Sequence, residues 1–279
     1  MTRPQPILVA VAAMILLALG HPPAAAAPAA EEWPKWQAHD DAAAAAIDHT
    51  AWDAFLKRHL TLGSDGIARV RYGDVTPGER AALKADLARL AALPIDRYSR
   101  HEQLAYWIDL YNALTVDVVL DHYPVDSIRQ IAISPGLFSA GPWGKKLVTI
   151  EGETLSLNDI EHRILRPIWR DPRIHYALNC ASLGCPNLQA EAFTADNAER
   201  LLERAAHDYV NHSRGATIAD GKLMVSSIYV WYQADFGDSD RGVIAHLRHY
   251  AEPALAAALG RVQRIAGDRY DWALNDARE

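Results

Sequence analysis

Apolar positions along this chain follow two rhythms. A spacing near 3.6 residues dominates the first half, and short period-two runs appear mainly in the second. After an alanine run at 42–46, Trp52, Phe55, Leu56 and Leu60 recur at helical spacing. The segment TPGE at 76–79 sets Thr76 at an N-cap, Pro77 at N1 and Glu79 at N3, a capping box ahead of RAALKADLARLAAL. SRHE at 99–102 repeats the device with Ser99 and Glu102 and opens a long helix to about Asp121. TADN at 194–197 is expected to cap a third helix, and Ser156 marks a weaker start before LNDIEHRILR. Strand candidates are IARVRY (67–72), KLVTIEGETL with a turn at Gly152, RIHYALN (173–179), ATIADGKLMV around Asp220-Gly221, and RVQRIA near the end. Asp-Gly between alternating runs signals a hairpin. Strands and helices mix without regular βαβ spacing, which predicts an α+β fold. The expectation is a single mixed domain, with a helical first half and a mostly antiparallel sheet with helices in the second half.

The N-terminus changes the picture. Arg3 precedes ILVAVAAMILLAL (7–19), an apolar run of 13 residues, and small residues follow. This is the layout of a secretory signal peptide. As a helix the run spans roughly 20 Å, short for a membrane crossing. Residues 1–30 are therefore expected to be a signal peptide and 31–279 one globular domain, exported to the periplasm or beyond the cell. The mature chain should begin between Ala25 and Glu31. No later run approaches the length of a membrane span. Loss of Arg3 would take the net charge from −7 to −8, which offers no electrostatic case for nucleic acid.

Candidate chemistry gathers in RIHYALNCASLGCPN (173–187), which holds both cysteines of the chain. Read as a strand, 173–179 puts Ile174, Tyr176 and Leu178 on a core face and His175, Ala177 and Asn179 on the other. A thiol serving His175 would then be Cys185, returned by the ASLG turn, rather than Cys180; Ser182 is a third possible nucleophile. An even cysteine count in an exported protein equally suggests a Cys180–Cys185 disulfide, with Gly184 turning the chain back. Asn112 lies beside the apolar stripe of the long helix (Leu104, Trp107, Ile108, Tyr111, Leu114, Val118), where its amide must find partners. It either ties the helix to a loop or serves a site. Glu161-His162 beside Arg166 reads as a salt-bridged helix face, with Glu161 also a ligand-binding candidate. Asp271, Trp272 and Asn275 are packing or rim residues. No HExxH, P-loop, GxGxxG or GxSxG occurs, and CASLGC lacks zinc-knuckle spacing, so neither a metal nor a cofactor is expected.

Four motifs occur in order: YWIDLYNALTVDVVLDHYP, PWGKKLVTIEGETLSLNDIEHRILR, DPRIHYALNCASLGCPNL and VSSIYVWYQADF. Together they resemble the domain of unknown function 547 (DUF547) family from about Glu102 to Phe236, with DWALN as an extension. Relatives in that family often carry Ser where this chain has Gly184 and His where it has Asp117. The resemblance implies that the long helix, the Glu-His helix and the cysteine segment belong to one fold; it implies no settled activity.

Two functions remain open. One is a binding or scaffold domain, bridged at Cys180–Cys185, whose His175, Asn179, Asn112, Ser182 and Glu161 surround an unknown small molecule or peptide. The other is a thiol-dependent hydrolase or acyl transferase, with Cys185 or Cys180 as nucleophile, His175 as base, and Asn179 or Asn112 as orienter or oxyanion donor.

Overall fold

The computed structural model describes residues 28–136 and 140–277; the expected signal peptide therefore lies almost wholly outside the described residues. Among the described residues three α-helices come first: α1 (Thr50–His59), α2 (Pro77–Ala91) and α3 (Arg100–His122). The capping box at Thr76 forms with both reciprocal bonds. Ser99 caps α3, but the Glu102 carboxylate takes the Ile47 N–H instead of returning to the cap. The apolar stripe read along α3 understates its burial: from Ala105 to Leu120 only Asp117 escapes full burial. This helix is the axis of the larger core cluster.

Helix α4 (157–169) starts at Ser156 in a capping box with Asp159 and widens into a π turn at Ile160–Leu165, where the Arg166 N–H reaches back to the Glu161 carbonyl. A short α5 (Ile174–Ala177) follows, then α6 (Ala198–Asn211), α7 (Ile228–Trp231), α8 (Asp240–Tyr250) and α9 (Pro253–Leu259). Asn197, rather than Thr194, is the residue before α6; the two cap each other in the preceding turn.

Strands are short and, among the described residues, form three small sheets. β1 (Leu60–Leu62) pairs antiparallel with β2 (Ala68–Val70), and β3 (Val148–Ile150) with β4 (Glu153–Leu155). β5 (Ala216–Ala219) and β6 (Lys222–Ser226) form the expected hairpin, with Asp220 and Gly221 both at positive φ as a two-residue turn requires. β7 (Ile265–Arg269) joins β6 in parallel. The α+β class read from the sequence holds. A second core cluster, built on Tyr209, Leu223, Tyr229 and Val243, packs α6 and α8 against the three-stranded sheet.

One expected strand is not a strand. Residues 174–177 are the single helical turn α5, with Ile174, His175, Tyr176 and Ala177 all buried. The alternation that seemed to separate two faces does not do so, because every position points into protein.

Candidate functional site

Helix α5 and the loop after it are held from behind by carboxamides. Asn112 on α3 donates from Nδ2 to the Ala177 carbonyl at 2.9 Å and accepts the Asn179 N–H at Oδ1, also at 2.9 Å. Asn179 in turn donates to the Pro186 carbonyl (2.7 Å) and accepts the Ala181 N–H (2.8 Å) and the Asn275 amide (3.2 Å). Together these bonds hold Ala181 at φ 57°, a left-handed conformation that Ala adopts only under constraint. The φ of Gly184 is not positive, so the turn does not depend on it. Its service is proximity: a Cβ there would stand 2.8 Å from the backbone of Asp271, to which its own N–H donates.

In front of this scaffold lies a cavity of about 600 Å³. Its polar floor comes from α4 and α5. The π turn brings Glu161 and His162 inward together, and such turns recur at functional sites because they redirect neighbouring side chains. The Tyr111 hydroxyl donates to Glu161 Oε2 at 3.2 Å, and burial, with the nearby Glu161 carboxylate, pushes the Tyr232 phenol well above its usual range. His175 Nε2 lies 2.7 Å from Oδ2 of Asp235, and its ring stacks on Tyr232 at 4.1 Å between centroids. Arg166 Nε holds the same Asp235 oxygen at 2.6 Å, while its NH1 donates to His162 Nδ1 at 3.1 Å. Burial lowers the pKa of His162, and Arg166 adds to this, so the ring favours its neutral form. Burial alone would raise the Asp235 carboxyl; His175 and Arg166 outweigh it and hold the group well below the usual carboxylate range.

The opposite wall is aromatic and sulfur-lined. Cys180 and Cys185 are joined, with Cα atoms 6.2 Å apart, and both border the cavity. The Tyr270 hydroxyl lies 3.0 Å from each sulfur, and the Cys180 N–H donates to Cys185 Sγ at 2.9 Å. Beside them Trp231, Tyr270 and Trp272 contact one another with centroids 4.6–5.5 Å apart, and Trp143 meets Trp272 edge-on at 5.7 Å.

The structure thus brings Glu161, His175, Cys180 and Cys185 to one cavity. Asn112, Asn179 and Ser182 stand behind the wall, each bonded to protein groups; Ser182 Oγ lies 3.1 Å from Cys180 Sγ. Glu161 does not form the arginine pair read from the sequence, since Arg166 is taken by Asp235 and His162. Sequence reasoning missed Asp235, Tyr232 and Tyr270. The signal for the first was an acid amid the aromatics of VWYQADF, unremarkable until the fold sets it against His175. Of the C-terminal candidates, Trp272 lines the cavity, whereas Asn275 is fully buried and accepts the Tyr72 hydroxyl.

No curated protein and no solved structure matches the chain. The first, second and third motifs fall within a family match, and the fourth lies beyond it. Residues 95–210 match the family model described as a protein of unknown function, DUF547, which bears out the resemblance read in the sequence.

Proposed function

We propose that this protein is an exported binding domain that takes a small molecule or a peptide end into the cavity between α4, α5 and the Tyr270–Trp272 segment. The observation that carries the reading is the make-up of that cavity. Buried Glu161 and His175 form a polar floor under an aromatic wall, and the joined cysteines leave no free thiol in the chain. Concave sites with apolar walls and a few convergent polar groups are where small ligands bind. A bridged pair suits an oxidising compartment, which supports export, as does the leader-like N-terminus. The binding test is tryptophan fluorescence during titration with a mixed set of amines, sugars and dipeptides. A saturable change in the wild type should be lost in Trp231→Leu; an unchanged response in the variant would move the site elsewhere. Intact mass of the exported protein tests the compartment, since a species retaining Met1 would refute it.

A second reading, the thiol-dependent hydrolase or acyl transferase, rests on the surroundings of Cys185. The Cys180 N–H and the Tyr270 hydroxyl would stabilise a thiolate there once the bridge was opened. A free-thiol count on protein purified from its own compartment separates the two.

A further inference from the structure

Asp235 decides which nitrogen of His175 carries the proton. Its Oδ2 stands 2.7 Å from Nε2 and also receives Arg166 Nε at 2.6 Å, which favours the ionised carboxylate. A carboxylate only accepts, so Nε2 is the donor and the neutral ring presents a lone pair at Nδ1. That nitrogen has no hydrogen-bond partner among the described residues. Its nearest acidic atom is Glu161 Oε1, 3.8 Å away and outside bonding distance. Among the described residues the His162 Nδ1 stands 3.9 Å from Oε1, beyond bonding distance, while the Tyr111 bond goes to Oε2. Two acceptors therefore lie side by side on the cavity floor, on side chains only 3% and 8% exposed.

A hydroxyl group carries one proton and can serve one of these acceptors. A primary ammonium carries three, and a nitrogen about 2.8 Å from both atoms fits their separation. Trp231 and Tyr270 also bring an indole and a phenol ring to the cavity lining, whereas the rings of Tyr232 and Trp272 already carry the Arg166 and Arg129 guanidinium groups, at 4.9 and 5.2 Å. Such faces attract cations more strongly than neutral groups. The geometry points to a primary ammonium as the group this cavity recognises, donating to Glu161 Oε1 and His175 Nδ1 at once. The inference rests on the cavity being a ligand site and adds the chemical class of the ligand. The ammonium can belong to a small amine or to the N-terminus or lysine of a peptide.

Three benzyl probes separate the possibilities: benzylamine, its near-isostere benzyl alcohol, and the bulkier quaternary benzyltrimethylammonium, titrated against the mature protein by ligand-observed NMR. Benzylamine should bind at least tenfold more tightly than either of the others, because only it offers both charge and N–H donors. Glu161→Gln should weaken benzylamine at least tenfold and benzyl alcohol by a much smaller factor, because the alcohol carries no charge to lose. In the unaltered protein, ¹⁵N NMR should show the His175 Nδ1 resonance moving as a nitrogen that gains a hydrogen bond, a readout that does not depend on a variant folding. The tripeptide Gly-Phe-Gly with a free or acetylated N-terminus, and Nα-acetyl-lysinamide, then assign the source of the amine. Equal or tighter binding of benzyl alcohol or the quaternary compound would overturn the amine assignment and leave the cavity a binding site. Binding of none of the three would overturn both.

Discussion

The side chain of Asn112 and the backbone of Asn179 meet at 2.9 Å, and the same carboxamide holds the Ala177 carbonyl, so one residue of α3 fixes both ends of the step from α5 into the cysteine loop. Asn112 is 3% exposed, and both of its bonds are buried. Asn112→Ala would orphan one buried N–H and one buried C=O, at about 1–3 kcal/mol each. The expected loss of stability is about 2–6 kcal/mol in urea unfolding. Little loss of stability with loss of ligand binding would instead make Asn112 a contact residue.

Because Cys180 and Cys185 are joined, denatured, unreduced mature protein should show no titratable thiol. The closed ring is small, with a sequence separation of 5, so the chain-entropy contribution is about 2 kcal/mol. Reduction should lower the unfolding free energy by that order and leave the fold intact. Two reactive thiols before reduction would contradict the bridge.

Acid should destabilise the protein through its buried histidines. His246 bonds the Tyr176 hydroxyl at 2.7 Å, and burial lowers its pKa from 6.5 to about 4; the nearby His249 adds to this, while Asp171 opposes it. His162 is shifted in the same direction. The unfolded chain takes up a proton at His246 near pH 6.5 and the folded one only near pH 4. Stability present above 6.5 is therefore lost as the pH falls through that window, by at most about 3 kcal/mol for this residue. Melting temperatures measured between pH 7 and 4 should fall, and His246→Gln should flatten the slope. A profile unchanged by the substitution would place the acid response elsewhere.

Much of the frame was legible in local signals. Thr76 with Glu79, Ser156 and Asp220-Gly221 act through neighbours within a few residues, and each forms where its chemistry placed it. The segment around His175 misled because a four-residue helix has no period to read. Its apolar alternation came from burial on every side. The site itself depends on pairs far apart in the chain: His175 meets Asp235 across 60 residues, and Cys180 meets Tyr270 across 90. Nothing local in the sequence links those partners. The candidates Glu161, His175 and the cysteines were recognisable by type, whereas their grouping, and the retreat of Asn112 and Asn179 behind the wall, come from tertiary packing.

The cavity is the proposed seat of the ligand. The most direct test is backbone amide NMR of the mature protein titrated with the fragment that binds best in the fluorescence screen. Perturbed resonances should cluster at Glu161–His162, His175–Cys185, Trp231–Tyr232 and Tyr270–Trp272, the segments that line the cavity floor and wall. A cluster around the separate surface hollow between α1 and α2, near His59 and Glu79, would contradict the account, as would the absence of any saturable perturbation.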